Sequence, residues 1–210
     1  MEVSLIDPAS YAEQIRAMRI GLLQEWGLPA RGKLLRPLSN GHYLGLFTSP
    51  SRSRLIGVCE CFLYGSLPAG YCSTPYGSGI DLMTICPPQQ MAHVRGIYLH
   101  SGYRKCFGTY ARLCAGAALA GLRLGIRHTT LMTLASATAL HALYQKMGGR
   151  ILGTLELPGS AIHSTLMVID LQRLLATPAI RRSMLDELAA QRWCYPSAPA
   201  ANGAGERTLH

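Results

Sequence analysis

Residues 99–113 read LHSGYRKCFGTYARL: the end of an apolar, β-branched run, a tight basic turn, and the opening of a helix. Upstream, MAHVRGIYLH (91–100) has the composition of a strand, and downstream 108–124 is a long Ala/Leu/Gly helical stretch that Gly125 ends. A strand turning sharply into a helix start forms an anion site, because free backbone N–H groups and the positive end of the helix dipole converge there. The turn Tyr103-Arg104-Lys105-Cys106-Phe107-Gly108-Thr109 adds two cations. Alone, that pattern also describes a solvated turn, so the flanking elements decide.

Towards the N-terminus, 8–26 carries Ile15, Met18, Leu22 and Leu23 at helical spacing, and Gly27 and Pro29 end it. HYLGLFT (42–48) and RLIGVCECFLYG (54–65) read as a hairpin around Ser49-Pro50-Ser51, and 66–78, crowded with Gly, Pro and Tyr, reads as a substrate-shaping loop. Towards the C-terminus a strand (128–135), a helix (136–149) and two strands (150–157, 163–171) follow. The predicted order is α, ββ, β, α, β, α, ββ, an α/β (α+β) chain. The expected organisation is one domain over 1–175, a C-terminal helix over 176–194, and a tail over 195–210 with disordered composition.

The 210 residues suit one core, and 49% hydrophobic against 15% charged residues argue for a folded chain with room for an apolar cleft. Seven cysteines without a C-x-x-C pair read as buried thiols, so no metal site is expected. The absence of an eighteen-residue apolar run and of a signal-like opening predicts a cytoplasmic protein with no membrane span. A formal charge of +9 favours an anionic partner. Scattered basic residues and the lack of an aromatic binding motif argue against nucleic acid.

The run L-H-S-G-Y-R-K-C-F-G-T-Y-A-R-L (99–113) resembles the strand and pyrophosphate loop of the GNAT acyltransferase superfamily, and A-L-H-A-L-Y-Q-K-M-G-G (139–149) resembles its later A-x-x-L-Y-x-x-x-G-F segment. The loop is one residue short, with Lys105 and Phe107 where the family has glycines, and the later segment ends Gly148-Gly149. The resemblance covers roughly 10–170. It implies the GNAT fold, a mixed sheet of about six to seven strands flanked by helices. It also implies an acyl-CoA or acyl-carrier-protein thioester lying between splayed central strands, its pyrophosphate on residues 104–109 (Arg104, Lys105, Cys106, Phe107, Gly108, Thr109). An amine acceptor would attack the thioester directly, with acyl carrier protein as a further partner.

That chemistry needs an oxyanion donor, a base for the ammonium proton, and an acid for the departing thiolate. The backbone N–H near Leu99 is the candidate oxyanion donor. Tyr144, at the tyrosine of the later segment, is the candidate acid. Glu60, the acidic residue of the second hairpin strand, and His93, at the start of the central strand, are the candidate bases, with His100 and His141 behind them. Each of these side chains also has a purely structural reading. The segment I-R-A-M-R-I-G-L-L-Q-E-W-G-L-P (15–29) resembles the opening helix of acyl-homoserine-lactone synthases and long-chain N-acyl amino acid synthases, which implies that Arg19 and Trp26 shape a substrate site. A monomer or homodimer is equally compatible with the sequence.

Overall fold

The computed structural model describes residues 1–28, 41–48, 54–67, 79–156 and 163–189, the side chains of 184 and 186–189 excepted. The loop expected at 66–78 beyond residue 67, the hairpin turn, Cys72, Cys194 and the C-terminal tail lie outside them. The strands are β1 (Glu2–Leu5), β2 (His42–Phe47), β3 (Leu55–Leu63), β4 (Met91–Leu99), β5 (His128–Leu134), β6 (Gly149–Glu156) and β7 (His163–Asp170). The helices are α1 (Ala12–Glu25), α2 (Phe107–Arg123), α3 (Thr138–Lys146), α4 (Leu171–Ala176) and α5 (Pro178–Ala189). The strands form one mixed sheet in the order β1-β2-β3-β4-β5-β7-β6, parallel at β4–β5.

β1 is an element the sequence reading lacked. Its four residues EVSL place Val3 opposite Leu46 and bury Glu2 and Ser4 as well, so the apolar alternation that marks a strand is weak. Val3 seats against Gly116 of α2, where an added Cβ would come within 2.6 Å of the valine. Helix α1 starts later than the sequence suggests: Asp7 turns the chain by accepting from the Ala9 amide (3.1 Å) and the Ser10 hydroxyl (2.9 Å). It closes on Gly27 at φ 66°, with the Leu28 amide returning to the Leu23 carbonyl at 2.8 Å.

Helices α2 and α3 cover one face of the sheet, burying Cys114, Ala118, Tyr144 and Met147 against Ala92, Leu131 and Met167. Ile180 of α5 is fully buried in that same cluster, so the terminal helix packs into the core. The opposite face carries α1, which packs Ile15 and Met18 on Tyr43 and Val58, and beside it the Tyr64, Leu82, Met91 and Leu166 cluster.

Two features of β4 position the site. Its pairing with β5 runs from Met91–His128 to Val94–Leu131 and stops. Beyond that point β4 stays on β3 and β5 on β7, which leaves a wedge between 95–99 and 132–134. At the same place a bulge sets Glu60 opposite Gly96 and Cys61 opposite Val94, so Arg95 is the extra residue. A bulge bends its strand and re-aims side chains, which accounts for the divergence.

Candidate functional site

The wedge opens towards both faces of the sheet, and each face offers different chemistry. On the α2 side lies a narrow apolar cavity of about 70 Å³ between sheet and helix, lined among others by Cys59, Cys61, Val94, Ile97, Cys114, Ala118, Leu131 and Tyr144. It exists because α2 presents Ala117-Ala118 and Ala120-Gly121, side chains that end at Cβ or before it. At about 24 cal/mol per Å³, a void of this size forgoes about 2 kcal/mol of packing. That is a sizeable share of a typical net stability. Val94 closes the paired part of β4 and Ile97 belongs to the splayed part, so the cavity reaches the wedge. Burial pushes the Cys61 and Cys114 thiols up to about 12 and Cys59 well above the usual range, which keeps the lining neutral.

Tyr144 stands at this cavity, 6% exposed, and its hydroxyl accepts from the Tyr110 hydroxyl at 2.7 Å. That leaves the Tyr144 proton available to a second acceptor. Burial, with the Cys114 thiol nearby, raises Tyr144 above the ordinary tyrosine range. Full transfer of its proton to a thiolate, whose thiol ordinarily titrates near 8.5, therefore runs uphill. The phenol is suited to stabilise a departing sulfur by donating a hydrogen bond.

The His100 amide donates to the Ile56 carbonyl of β3 at 2.9 Å. Successive amides of a strand alternate sides, so the Leu99 amide faces the wedge.

The phosphate turn differs in detail from the sequence reading. Arg104 turns back into α1: Nε donates to the Leu99 carbonyl (2.8 Å), Nη2 to the Met18 carbonyl (3.3 Å), and Nη1 pairs with Glu25. Gly21 admits it, since a Cβ there would lie 2.7 Å from the guanidinium. The amides of Arg104, Cys106 and Thr109 go to the carbonyls of Ser101, Tyr103 and Cys106. Hence Arg104 ties the turn to α1, and the candidate anion donors narrow to the first-turn amides of Phe107 and Gly108 with the exposed Lys105 beside them. Cys106 occupies the N-cap position without a side-chain capping bond, and the nearness of Thr109 and the Gly108 amide draws its thiol below the usual range.

On the α1 side the site is polar and cationic. Glu60 is 0% exposed and accepts from Arg19 Nη2 (2.6 Å), the Tyr43 hydroxyl (2.6 Å) and Arg95 Nη1 (3.1 Å). Arg19 also lies over the Tyr98 ring, 5.5 Å from its centroid. Tyr98 folds back across Gly96, where any Cβ would sit 2.3 Å from the phenol. Glu60 thus joins α1, β2 and the β4 bulge.

His93 is 2% exposed, with Nδ1 2.8 Å from the Thr130 hydroxyl, which in turn meets the Tyr64 hydroxyl at 2.8 Å. Burial, then the Arg95 charge, lowers His93 to about 3, so the imidazole is neutral at physiological pH. His141 contacts Thr133 through Nε2 at 2.7 Å, and His100 accepts from the Gly102 amide at 3.3 Å. Trp26 lies at the C-terminal end of α1, 38% exposed, and lines neither the apolar cavity nor the open cleft between α1 and residues 100–104. The structure therefore places Leu99 on the splayed part of β4, Tyr144 at the apolar cavity, Arg19 and Glu60 together on the α1 side and His93 beside Thr130 and Tyr64, and leaves Trp26 apart. Sequence reasoning missed Tyr110, Tyr98 and Arg95. A signal for the last existed: a charge followed by glycine inside an apolar strand marks a bulge.

No protein-family model matches the chain, and comparison with curated proteins finds no match. Solved structures do match. An N-acyl amino acid synthase from uncultured soil microbes, FeeM, is 11% identical with a TM-score of 0.61, over 83% of this chain and 93% of that one. The CoA-dependent acyl-homoserine lactone synthase MesI is 14% identical with a TM-score of 0.55, over 96% and 100%. A Bacillus subtilis acetyltransferase in complex with CoA is 14% identical with a TM-score of 0.51, over 80% and 97%. The seven-stranded mixed sheet, its splayed β4 and β5, and these likenesses give the chain the GNAT fold, shared by acetyltransferases and by acyl-homoserine-lactone and N-acyl amino acid synthases.

Proposed function

We propose that this protein is an N-acyltransferase that moves a long acyl chain from a thioester, acyl-CoA or acyl carrier protein, to an amine by direct attack. The observation that carries the reading is the apolar cavity joining the wedge at Tyr144. At that size it takes only the first few methylenes of a tail, which recover the packing it lacks, whereas an acetyl group has no use for it.

In this reading the phosphopantetheine arm lies in the wedge, where it meets the strand edges that β4 and β5 no longer offer each other. A phosphate group sits on the Phe107 and Gly108 amides, and the tail runs under α2. The amine approaches from the α1 side, the Leu99 amide holds the oxyanion, and Tyr144 donates to the departing sulfur. Glu60 and Arg19 set the acceptor wall, and His93, held neutral by burial and the Arg95 charge, lines the paired end of β4.

The direct test is mass spectrometry of the protein with acyl-CoA and acyl-carrier-protein thioesters of graded length and pooled amines. N-acyl product from long-chain donors is expected; product from acetyl-CoA alone would reject the long-chain reading.

Two variants sharpen it. Ala118→Leu, which projects into the cavity, should weaken binding of hexadecanoyl-CoA and spare acetyl-CoA; equal effects on both in calorimetry would show that the tail goes elsewhere. Tyr144→Phe should lower kcat about 10²-fold, the usual cost of losing one transition-state donor. KM for the donor should hold, and unfolding should show a loss of about 1 kcal/mol from the broken Tyr110 bond. An unchanged kcat would remove Tyr144 from the reaction.

A further inference from the structure

We infer that the end of the sheet where β4, β5 and β6 begin is a docking surface for an anionic lipid bilayer, whatever reaction takes place at the wedge on the opposite end.

The turns into β5 and β6 and the exit from β7 meet there. The Arg127 amide donates to the Gln90 carbonyl ahead of β4 at 2.8 Å, and the Leu171 amide donates to the Arg127 carbonyl at 2.9 Å. Arg173 follows on α4, so close to the turn between α3 and β6 that a Cβ on Gly148 would lie 2.7 Å from its own. Lys146 and Arg150 flank that turn. Arg127, Lys146, Arg150 and Arg173 are all exposed, and they share one end of the molecule.

The charge at that end is nearly of one sign. Across 124–127, 145–151 and 170–174 these four cations face one acid, Asp170. Its carboxylate caps α4, accepting from the Gln172 amide at 2.8 Å and the Arg173 amide at 3.1 Å, and it meets the Arg173 side chain only at 3.9 Å. Among the described residues Arg127, Lys146 and Arg150 make no ion pair. Soluble surfaces ordinarily mix both signs, and a field of one sign draws an anionic partner.

An exposed apolar group decides which anionic partner fits. Leu124, the C-cap of α2, stands 47% exposed beside the cations. It also lines the apolar cavity under α2, whose lining runs back through Gly121 and Ile126 to Val94 and Ile97. A bilayer offers this surface phosphates for the cations and hydrocarbon for the leucine. Nucleic acid would leave the leucine unused, and the three segments hold no aromatic side chain on which a base could stack.

The test is flotation of the full chain with vesicles of phosphatidylglycerol and phosphatidylcholine in equal parts, against vesicles of phosphatidylcholine alone. Two triple variants have the same net charge. One combines Arg127→Gln, Lys146→Gln and Arg150→Gln at this end; the other combines Arg16→Gln on α1, Arg54→Gln before β3 and Lys105→Gln in the phosphate turn. A basic residue at an anionic surface is worth roughly fivefold in partitioning, so the first triple should lose about 10²-fold. The second should lose far less. Leu124→Asp should weaken the binding that persists in high salt, where charge is screened. Should the first triple fail to fold in a thermal melt, Arg127→Gln alone is read in its place, with an expected loss of roughly fivefold.

Partitioning that needs both this end and phosphatidylglycerol upholds the inference, with or without acyl transfer. An absence of flotation with anionic vesicles overturns it, as does an equal loss in the two triples. Capture of a DNA duplex or of acyl carrier protein at this end, with vesicles left free, overturns it too.

Discussion

Gly108→Asp should eliminate donor binding in a protein that is as stable as the parent or slightly more so. An added Cβ at Gly108 meets only the Cys106 sulfur, at an ordinary 3.9 Å, and Gly108 is not among the positive-φ glycines, so the backbone accepts the side chain. The first turn of α2 has no acidic residue. A carboxylate there gains about 0.3–1 kcal/mol from the helix dipole. A pyrophosphate brought to the same amides meets a like charge a few ångströms away, worth about 4 kcal/mol at the effective dielectric of a protein surface. Calorimetry with CoA and a thermal melt read the two effects separately. Retained CoA affinity would show that the phosphate lies elsewhere.

Glu60→Leu is the second large effect, and it falls on stability. Removing the carboxylate takes from Arg19, 1% exposed, the anion it donates to at 2.6 Å and from the Tyr43 hydroxyl the acceptor it meets at 2.6 Å. Breaking one side of such a pair costs about 3–5 kcal/mol, to be read as a lower midpoint in urea. Adding Arg19→Met in the same chain should recover most of that loss, because the pair as a whole contributes little beyond what packing would. A single variant within about 1 kcal/mol of the parent, the ordinary scale of a surface ion pair, would mean that the cluster is more hydrated than its burial indicates. If the double variant recovers stability, Glu60 can be assayed apart from its structural part.

Where local rules act strongly, the sequence disclosed the fold. β4, the turn and α2 follow from a β-branched run, a basic glycine-bearing bend and a helical stretch closed by Gly125, which the structure places at φ 78°. Tyr144 was picked out by the resemblance of 139–149 to a known segment, and the structure buries it on α3 at the apolar cavity. Other features depend on residues far apart in the chain. The direction of Arg104 is set by Gly21 and Glu25, more than seventy residues earlier. The cavity is made by side chains that are missing from α2, and an absence of bulk leaves no periodic trace. Glu60 looked like a lone acid in a strand until α1 and the β4 bulge each delivered an arginine to it.

The wedge has one more consequence. Between 95–99 and 132–134 the sheet has an edge on each side inside the molecule, where a continuous sheet would have a ladder. Edge strands recruit other strands, and proteins usually blunt them with charge, proline or a covering helix. Here the tip of the opening carries Tyr98 and Leu99 on one side and Met132 and Leu134 on the other, with Arg95 the charged residue of the five on β4. Without a donor, these edges form an adhesive slot, and a bound thioester would double as the guard that keeps another chain's strand from entering it.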